Sequence, residues 1–326
     1  MTELKRVGVL TSGGDAPGMN AAIRSTVRAC IYYGIEPVAI HEGYKGLIEN
    51  NMEEVTARSV ANIINQGGTF LKSARCVEFR SKEGRTKAYE NAKAAGLDAL
   101  VVIGGDGSFT GAMLLEEEHG LPCIGIPGTI DNDIYGTDYT IGYDTALNTV
   151  VEAIDKIRDT ATSHNRLFFI EVMGRDAGFI ALNTGIAAGA ENILIPEENK
   201  PVEHLMEALQ QSGRAGKTSS IIVVSEGDKS GGVFELARTV EEKFPEYECK
   251  VTVLGHIQRG GRPSCSDRVL ASRLGVAAVE ALRDGESGIM VGVRDQQVVK
   301  TPLERAISKQ NLIDNNLVRV AEIVSV

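Results

Sequence analysis

The chain has 326 residues, and at a usual 100–200 residues or about that per domain it is expected to form two domains. With 43% hydrophobic and 24% charged residues it reads as an ordinary globular protein, and a formal charge of −10 argues against broad binding to nucleic acid. The absence of tryptophan and an aromatic content of 5% leave no visible platform for stacking single-stranded bases. No apolar run approaches the roughly 18 residues of a membrane span, and "MTELKRVGVL" enters a strand without the apolar core of a signal peptide. A soluble, unprocessed, cytoplasmic protein with no membrane or nucleic-acid partner is expected. Cys30, Cys76, Cys123, Cys249 and Cys265 are scattered with no CxxC pair, which fits free thiols in a reducing compartment.

Short apolar runs alternate with helical periodicity along the chain. "VGVL" precedes "GMNAAIRSTVRACIYYG", "ALVVIGG" precedes "SFTGAMLLEEEHG", and "LPCIGI" precedes "DTALNTVVEAIDKIRDTATS". "RLFFIEVMG" with "AGFIALNTGIAAGA" continues the series, followed by "NILIPE", "VEHLMEALQQSG", "SSIIVVSEG", "VFELARTVEEKF", "KVTVLGHIQ" and "DRVLASRLGVAAVEALRDG". "GIMVGVRDQQVV" reads as a strand pair. Strand followed by helix, repeated, predicts α/β domains with largely parallel, doubly wound sheets. No linker marks a boundary; the helical stretch from about 140 to 162 is a plausible crossing, with a return near 256.

Glycine-rich segments follow several of these strands. In "LTSGGDAPGMN", Gly13 and Gly14 leave backbone N–H groups unobstructed, Pro17 suits a helix first turn, and the helix N-terminus attracts anions. In "VIGGDGSFTG", Gly104, Gly105 and Gly107 surround Asp106, and Ser108 is placed to cap the next helix. An acid beside bare amides suits a metal-bound phosphate. "PGTIDND" puts Asp131 and Asp133 at the carboxyl end of a buried strand, where open α/β sheets bind ligands, although such a stretch also makes an ordinary turn. If the other loops hold phosphates, Asp131 becomes a base for an acceptor hydroxyl, while Asp106 or Asp133 helps hold a metal.

One motif is a decoy, and a second falls short of its pattern and leaves NAD(P) binding as a minor alternative. "QSGRAGKTSS" has Gly-Lys-Thr at 216–218, but Gln211 stands where a P-loop needs glycine, and helix precedes strand. Gly105, Gly107 and Gly111 miss the dinucleotide spacing by one residue. Arg166, Arg175, Lys250, His256 and Arg259 cluster near strand ends and suggest a phosphate-lined cleft. Glu226, closing "IIVVSEG", is either a sugar-hydroxyl acceptor or a helix cap.

Taken in order, "TSGGDAPGMNAAIR", "GGDGS", "PGTIDNDI", "EVMGRDAG" and "VLGHIQRGG" resemble the bacterial ATP-dependent 6-phosphofructokinase family over almost the whole chain. The resemblance implies a glycolytic kinase that uses ATP with Mg²⁺ to phosphorylate the 1-hydroxyl of fructose 6-phosphate. It implies ATP contacts at Gly14, Arg75, Cys76, Gly105, Asp106, Gly107 and Ser108, with Asp106 on the metal. It implies Thr129 and Asp131 at the sugar, Asp131 as base, and Arg175 and Gly14 in the catalytic set. Met173, Gly174, Glu226, His256 and Arg259 resemble sugar-phosphate ligands; Arg166 and Lys250 match positions that reach into a neighbouring subunit, which implies a homotetramer. The implied domains are 1–140 with 256–304 for ATP and 141–255 with 305–326 for the sugar phosphate.

Glycine at 107 and 128, where pyrophosphate-dependent relatives of this family typically carry Asp and Lys, implies ATP as donor. Lys250 replaces a usual arginine, exchanging a bidentate fork for a point charge and predicting weaker substrate affinity. Arg24, Arg28, Arg158, Glu191 and Lys217 match the family's pocket for ADP and phosphoenolpyruvate, whereas Ala57, Asn62 and Ala215 depart from it, with Arg58 and Arg214 one residue from two of the gaps. Alternatives are a kinase of the same fold with another sugar-phosphate acceptor or pyrophosphate donor, a non-catalytic regulatory paralogue, or a nucleotide kinase with a similar Gly-Gly-Asp-Gly loop.

Overall fold

The computed structural model describes residues 4–161, 166–198, 202–214, 220–229 and 231–325. In chain order the first elements are β1 (Arg6–Thr11), α1 (Met19–Tyr32), β2 (Glu36–Ile40), α2 (Tyr44–Glu49), β3 (Met52–Glu54), α3 (Lys82–Ala94), β4 (Ala99–Gly104), α4 (Asp106–His119) and β5 (Cys123–Pro127). Then follow α5 (Tyr143–Ala161), β6 (Arg166–Val172), α6 (Phe179–Ala187), β7 (Asn192–Leu194), α7 (Val202–Arg214), β8 (Ser220–Ser225), α8 (Val233–Lys243) and β9 (Glu248–Val253). The chain closes with α9 (Cys265–Arg283), β10 (Ile289–Arg294), β11 (Gln297–Pro302), α10 (Leu303–Ser308) and α11 (Asn315–Val324).

Two compact units result. One runs up to Thr145 and resumes over Arg259–Asn311; the other covers Ala146–Gln258 and continues from Leu312. The first contains a seven-stranded sheet ordered β11-β10-β5-β4-β1-β2-β3, in which only β2–β3 and β10–β11 pair antiparallel. The second contains the four-stranded sheet β7-β8-β6-β9, parallel throughout. Both are helix-covered α/β sheets of the expected class, and "GIMVGVRDQQVV" forms the β10–β11 hairpin.

The continuous apolar runs explain the central strands. All six residues of β4 are buried, as are five of the six in β1, because helices cover both faces. The segment between α1 and β4 escaped the sequence reading. β2 is five residues with a proline second, and α3, "KEGRTKAYENAKA", is so polar that its helical signal lies in its cap, where Ser81 Oγ accepts from the Gly84 amide at 3.0 Å. Among the described residues no helix is long and apolar enough to cross a membrane, and the five cysteines are unbridged.

A carboxylate from a distant helix closes the first unit. Asp267, 1% exposed on α9, accepts from the Gly142 amide at 2.8 Å, the Thr145 amide at 2.8 Å and the Thr145 hydroxyl. These amides open α5, where backbone donors lack intrahelical partners, so Asp267 caps a helix 122 residues away in sequence. Burial raises its pKa, and the three donors oppose that rise. Asp267→Ala strands those donors and is expected to lower the unfolding free energy by about 2–4 kcal/mol in denaturant titrations.

Candidate active site

The order of the first sheet sets what can meet. β5, β4 and β1 are parallel neighbours, with Thr11 opposite Ile103 and Gly104 opposite Pro127. Their carboxyl ends therefore deliver the Gly13–Gly14, Gly104–Ser108 and Thr129–Asp133 loops side by side. From β1 the chain turns towards β2, whereas from β4 it turns the other way to β5, so this edge is a topological switch point.

The loops interlock by close approach. Ser12 donates its amide to Ile103 O at 3.0 Å and the Gly128 amide donates to Gly104 O at 2.9 Å. A Cβ on Gly104 would collide with Ser108 Oγ and Ser12 O, so glycine is required there, whereas Gly105 and Gly107 face open space. Gly105, not Ser108, occupies the N-cap of α4; Ser108 is a buried first-turn residue whose side chain packs beneath Gly13 and Gly104. Pro17 likewise lies outside α1, which starts after Gly18 in a left-handed conformation at φ 108°. Arg75 is exposed and Cys76 half-buried against the core; their segment is latched to the first loop by Ser73 Oγ on Gly13 O at 2.8 Å and by the Thr11 hydroxyl on Lys72 O at 2.9 Å.

The Asp131 loop is built on buried polar contacts. Asp131 and Asp133 are 8% and 9% exposed, and the Asp131 amide donates to Thr129 Oγ1 at 3.2 Å. Between them Asn132 adopts φ 57°, its side-chain Oδ1 accepting from the Thr140 amide at 2.8 Å while its side-chain Nδ2 donates to Asp138 O at 3.1 Å. Thr140 returns a hydrogen bond to Thr129 O at 2.7 Å. Asn311 fastens the loop from below, its amide donating to Asp133 O and its side chain to Thr137 O and Asn132 O. No local pattern in "SKQNLI" marks Asn311 for this work.

Gly14 has a neighbour that sequence does not reveal. A Cβ on it would overlap the guanidinium of Arg259, which lies across its backbone. The Gly14 surface is therefore covered by a cation rather than bare. Arg259 Nε is buried with no hydrogen-bond partner among the described residues, an arrangement that costs free energy unless an acceptor arrives.

In the second unit the β6–β8 register brings Val172 opposite Ser225, so Met173–Arg175 and Glu226 leave the sheet together. Glu226 Oε1 accepts the Arg175 amide at 2.7 Å and the Gly174 amide at 3.3 Å. It is no helix cap, since α8 begins at Val233. It holds a strained turn: Gly174 has φ 147°, and Arg175 sits in the left-handed region at φ 55°, which costs about 1–2 kcal/mol for a residue with a Cβ. Met173 is pinned by Gln258, fully buried, whose side-chain oxygen accepts the Met173 amide at 3.2 Å. Gln258 lies inside "GHIQRGG" between His256 and Arg259, and nothing in that segment marks it for this contact. His256 is exposed. On one sheet face Arg166 and Lys250 both contact Glu248, at 2.7 and 2.6 Å.

The phosphofructokinase profile matches residues 6–282. The chain belongs to the phosphofructokinase family. It is 53% identical over 326 residues to ATP-dependent 6-phosphofructokinase 2 of Bacteroides thetaiotaomicron, covering 100% of both chains. It is 56% identical over 322 residues to ATP-dependent 6-phosphofructokinase 1 of Thermus thermophilus, covering 99% of this chain and 100% of that one. Phosphofructokinase from Saccharomyces cerevisiae superposes with TM-score 0.87 at 39% identity over 93% of this chain; the chain spans 45% of the yeast chain's length.

The positions matched to the family's effector pocket divide between the units. In the first, Arg24 and Arg28 stand one helical turn apart on α1; burial and then the Arg28 charge lower the Arg24 pKa. Asn62 adopts φ 63°, and Ala57 and Arg58 are exposed. In the second, Arg158 donates to Ala188 O at 2.6 Å and Gly189 O at 2.8 Å and pairs with Glu191 at 3.8 Å. Lys217, Ala215 and the Gly-Lys-Thr decoy lie outside the described residues, as does the Arg214 side chain.

Contacts from Lys250 and then Arg166 pull the Glu248 pKa from the ordinary 4.5 to about 2. A folded pKa below the unfolded one stabilises above about pH 4.5, and that contribution disappears as pH falls towards 2. Carboxyl NMR titration of this phosphofructokinase is expected to place the Glu248 midpoint well below that of an exposed glutamate, with Lys250→Ala moving it upward.

Proposed function

We propose that the chain catalyses ATP-dependent phosphorylation of the 1-hydroxyl of fructose 6-phosphate to fructose 1,6-bisphosphate, in the cytoplasm. The observation that carries this reading is the adjacency of three loops at the carboxyl ends of β1, β4 and β5, with a buried carboxylate on the third. The names of relatives more than half identical over the whole chain support the same activity.

Gly14, Arg75, Cys76, Gly105, Gly107 and Ser108 take ATP, with the open backbone at Gly105 and Gly107 offering amides to phosphate oxygens. Asp131 accepts the proton of the 1-hydroxyl as the oxygen attacks the terminal phosphorus and ADP leaves. The Thr129 hydroxyl, which accepts the Asp131 amide, also meets the sugar in this reading. Arg175 offsets charge on the transferring phosphoryl, and Glu226 keeps it in place. Met173, Gly174, Glu226, His256 and Arg259 receive the sugar phosphate. Arg166 and Lys250 receive the 6-phosphate of a neighbouring copy in a homotetramer, and ADP or phosphoenolpyruvate acts through Arg24, Arg28, Arg158, Glu191 and Lys217.

Mg²⁺ fits this donor set. Among the described residues no three His, Cys, Asp or Glu side chains form a cage, and Mg²⁺ carried by a nucleotide needs only one or two protein carboxylates beside phosphate and water. Asp106, in the first turn of α4 between two uncovered glycines, would hold it. When bound, the ion neutralises charge on the phosphates.

The test is formation of fructose 1,6-bisphosphate with Mg²⁺ and either ATP or pyrophosphate as donor. Product with ATP alone is expected; product with pyrophosphate only, or with neither donor, overturns the proposal. Asp131→Ala is expected to lower kcat by on the order of 10³-fold while the variant still binds ATP. Gly14→Ala drives its methyl into Arg259 and is expected to lower kcat/KM by about tenfold or more with an unchanged melting temperature.

A further inference from the structure

Arg166 and Lys250 share one carboxylate. β6 and β9 run parallel with Arg166 opposite Glu248 and Phe168 opposite Lys250, which places Arg166, Glu248 and Lys250 on the same face of the sheet. Glu248 divides its oxygens between the cations, Oε2 taking Arg166 Nε at 2.7 Å and Oε1 taking Lys250 Nζ at 2.6 Å. Side-chain exposures of 27%, 49% and 44% for Arg166, Glu248 and Lys250 leave all three open to solvent, so an arriving anion can exchange with the carboxylate.

We propose that Glu248 is a built-in competitor for the substrate's phosphate: it occupies Arg166 and Lys250 until a more highly charged anion takes them, and so sets the affinity and selectivity of this end of the site. The inference rests on the reading that these two cations bind the 6-phosphate. Phosphate oxygens seek the same charge-assisted donors that the carboxylate holds. With Glu248 ionised the trio carries a net charge of +1 rather than +2, which weakens the pull on every anion. A sugar phosphate dianion recovers more than it displaces, whereas a monoanion exchanges like for like. The low Glu248 pKa, set by the same two contacts, keeps the competitor charged at any working pH. The lysine at 250 suits this exchange, because an ammonium moves between two anions without giving up a planar bidentate fork.

Steady-state kinetics of the full-length enzyme with Glu248→Gln, Glu248→Asp, Lys250→Ala and the Glu248→Gln/Lys250→Ala double variant test the idea. Inorganic phosphate serves as the probe anion. Glu248→Gln is expected to lower KM for fructose 6-phosphate by about two- to tenfold with kcat nearly unchanged, and to lower the inhibition constant of inorganic phosphate at least as much. The KM effect should shrink at high salt and in the Lys250→Ala background, and Glu248→Asp should restore parental values. An unchanged or raised KM in Glu248→Gln overturns the proposal. If Lys250→Ala raises KM while Glu248→Gln is neutral, only the competitor idea falls; if Lys250→Ala leaves KM unaltered, the assignment of Lys250 to the 6-phosphate falls with it.

Discussion

Three parallel strands side by side, β5, β4 and β1, constrain everything else in the first unit. Their hydrogen-bonded register fixes where each chain emerges, and the emerging loops then have no choice but to touch. Gly104 is glycine because Ser108 and Ser12 press on it, and the Gly128 amide is tied to Gly104 O. The close approach of these loops, with open space over Gly105 and Gly107, follows from backbone spacing before any charged side chain is considered. Arg259, lying on Gly14, adds the first strong charge to that frame.

The second unit solves a different problem. Arg175 is held in a conformation that residues with side chains avoid, and strain of this kind persists only where neighbours over-determine it. Glu226 supplies that determination by binding two successive amides, and Gly227 leaves room for the Arg175 carbonyl. The direction of the Arg175 side chain is thus a property of a carboxylate one strand away.

Much of this was legible in the sequence, and the limits are physical. The βα alternation and the glycine loops declared themselves because strands buried on both faces are continuously apolar, and because tight approaches demand glycine. β2 and α3 did not, since a five-residue strand with proline and a polar helix lack the periodicity that marks burial. Ser108 reads as a cap but is not one, because a serine three residues after a glycine looks the same whether it binds the helix end or packs under a neighbouring loop. Asn311, Gln258 and Glu248 were invisible for a shared reason. Each acts on a residue far along the chain, and a lone polar letter carries no record of its distant partner.

The long-range cap on α5 bears on the order in which the chain is assembled. Asp267 leaves the ribosome 122 residues after Thr145, an interval of roughly 6–24 s at about 5–20 residues per second. During that time the whole of the second sheet is synthesised, while the opening amides of α5 and the edge of β5 that β10 will cover still await their partners. The first unit is begun first, yet its last residues, up to Asn311, are made only after the whole second sheet. A nascent chain of this kind leaves that strand edge unpaired from Ile124 until Ile289 is made, about half of its synthesis, and an uncovered edge is where such a chain is most prone to pair wrongly.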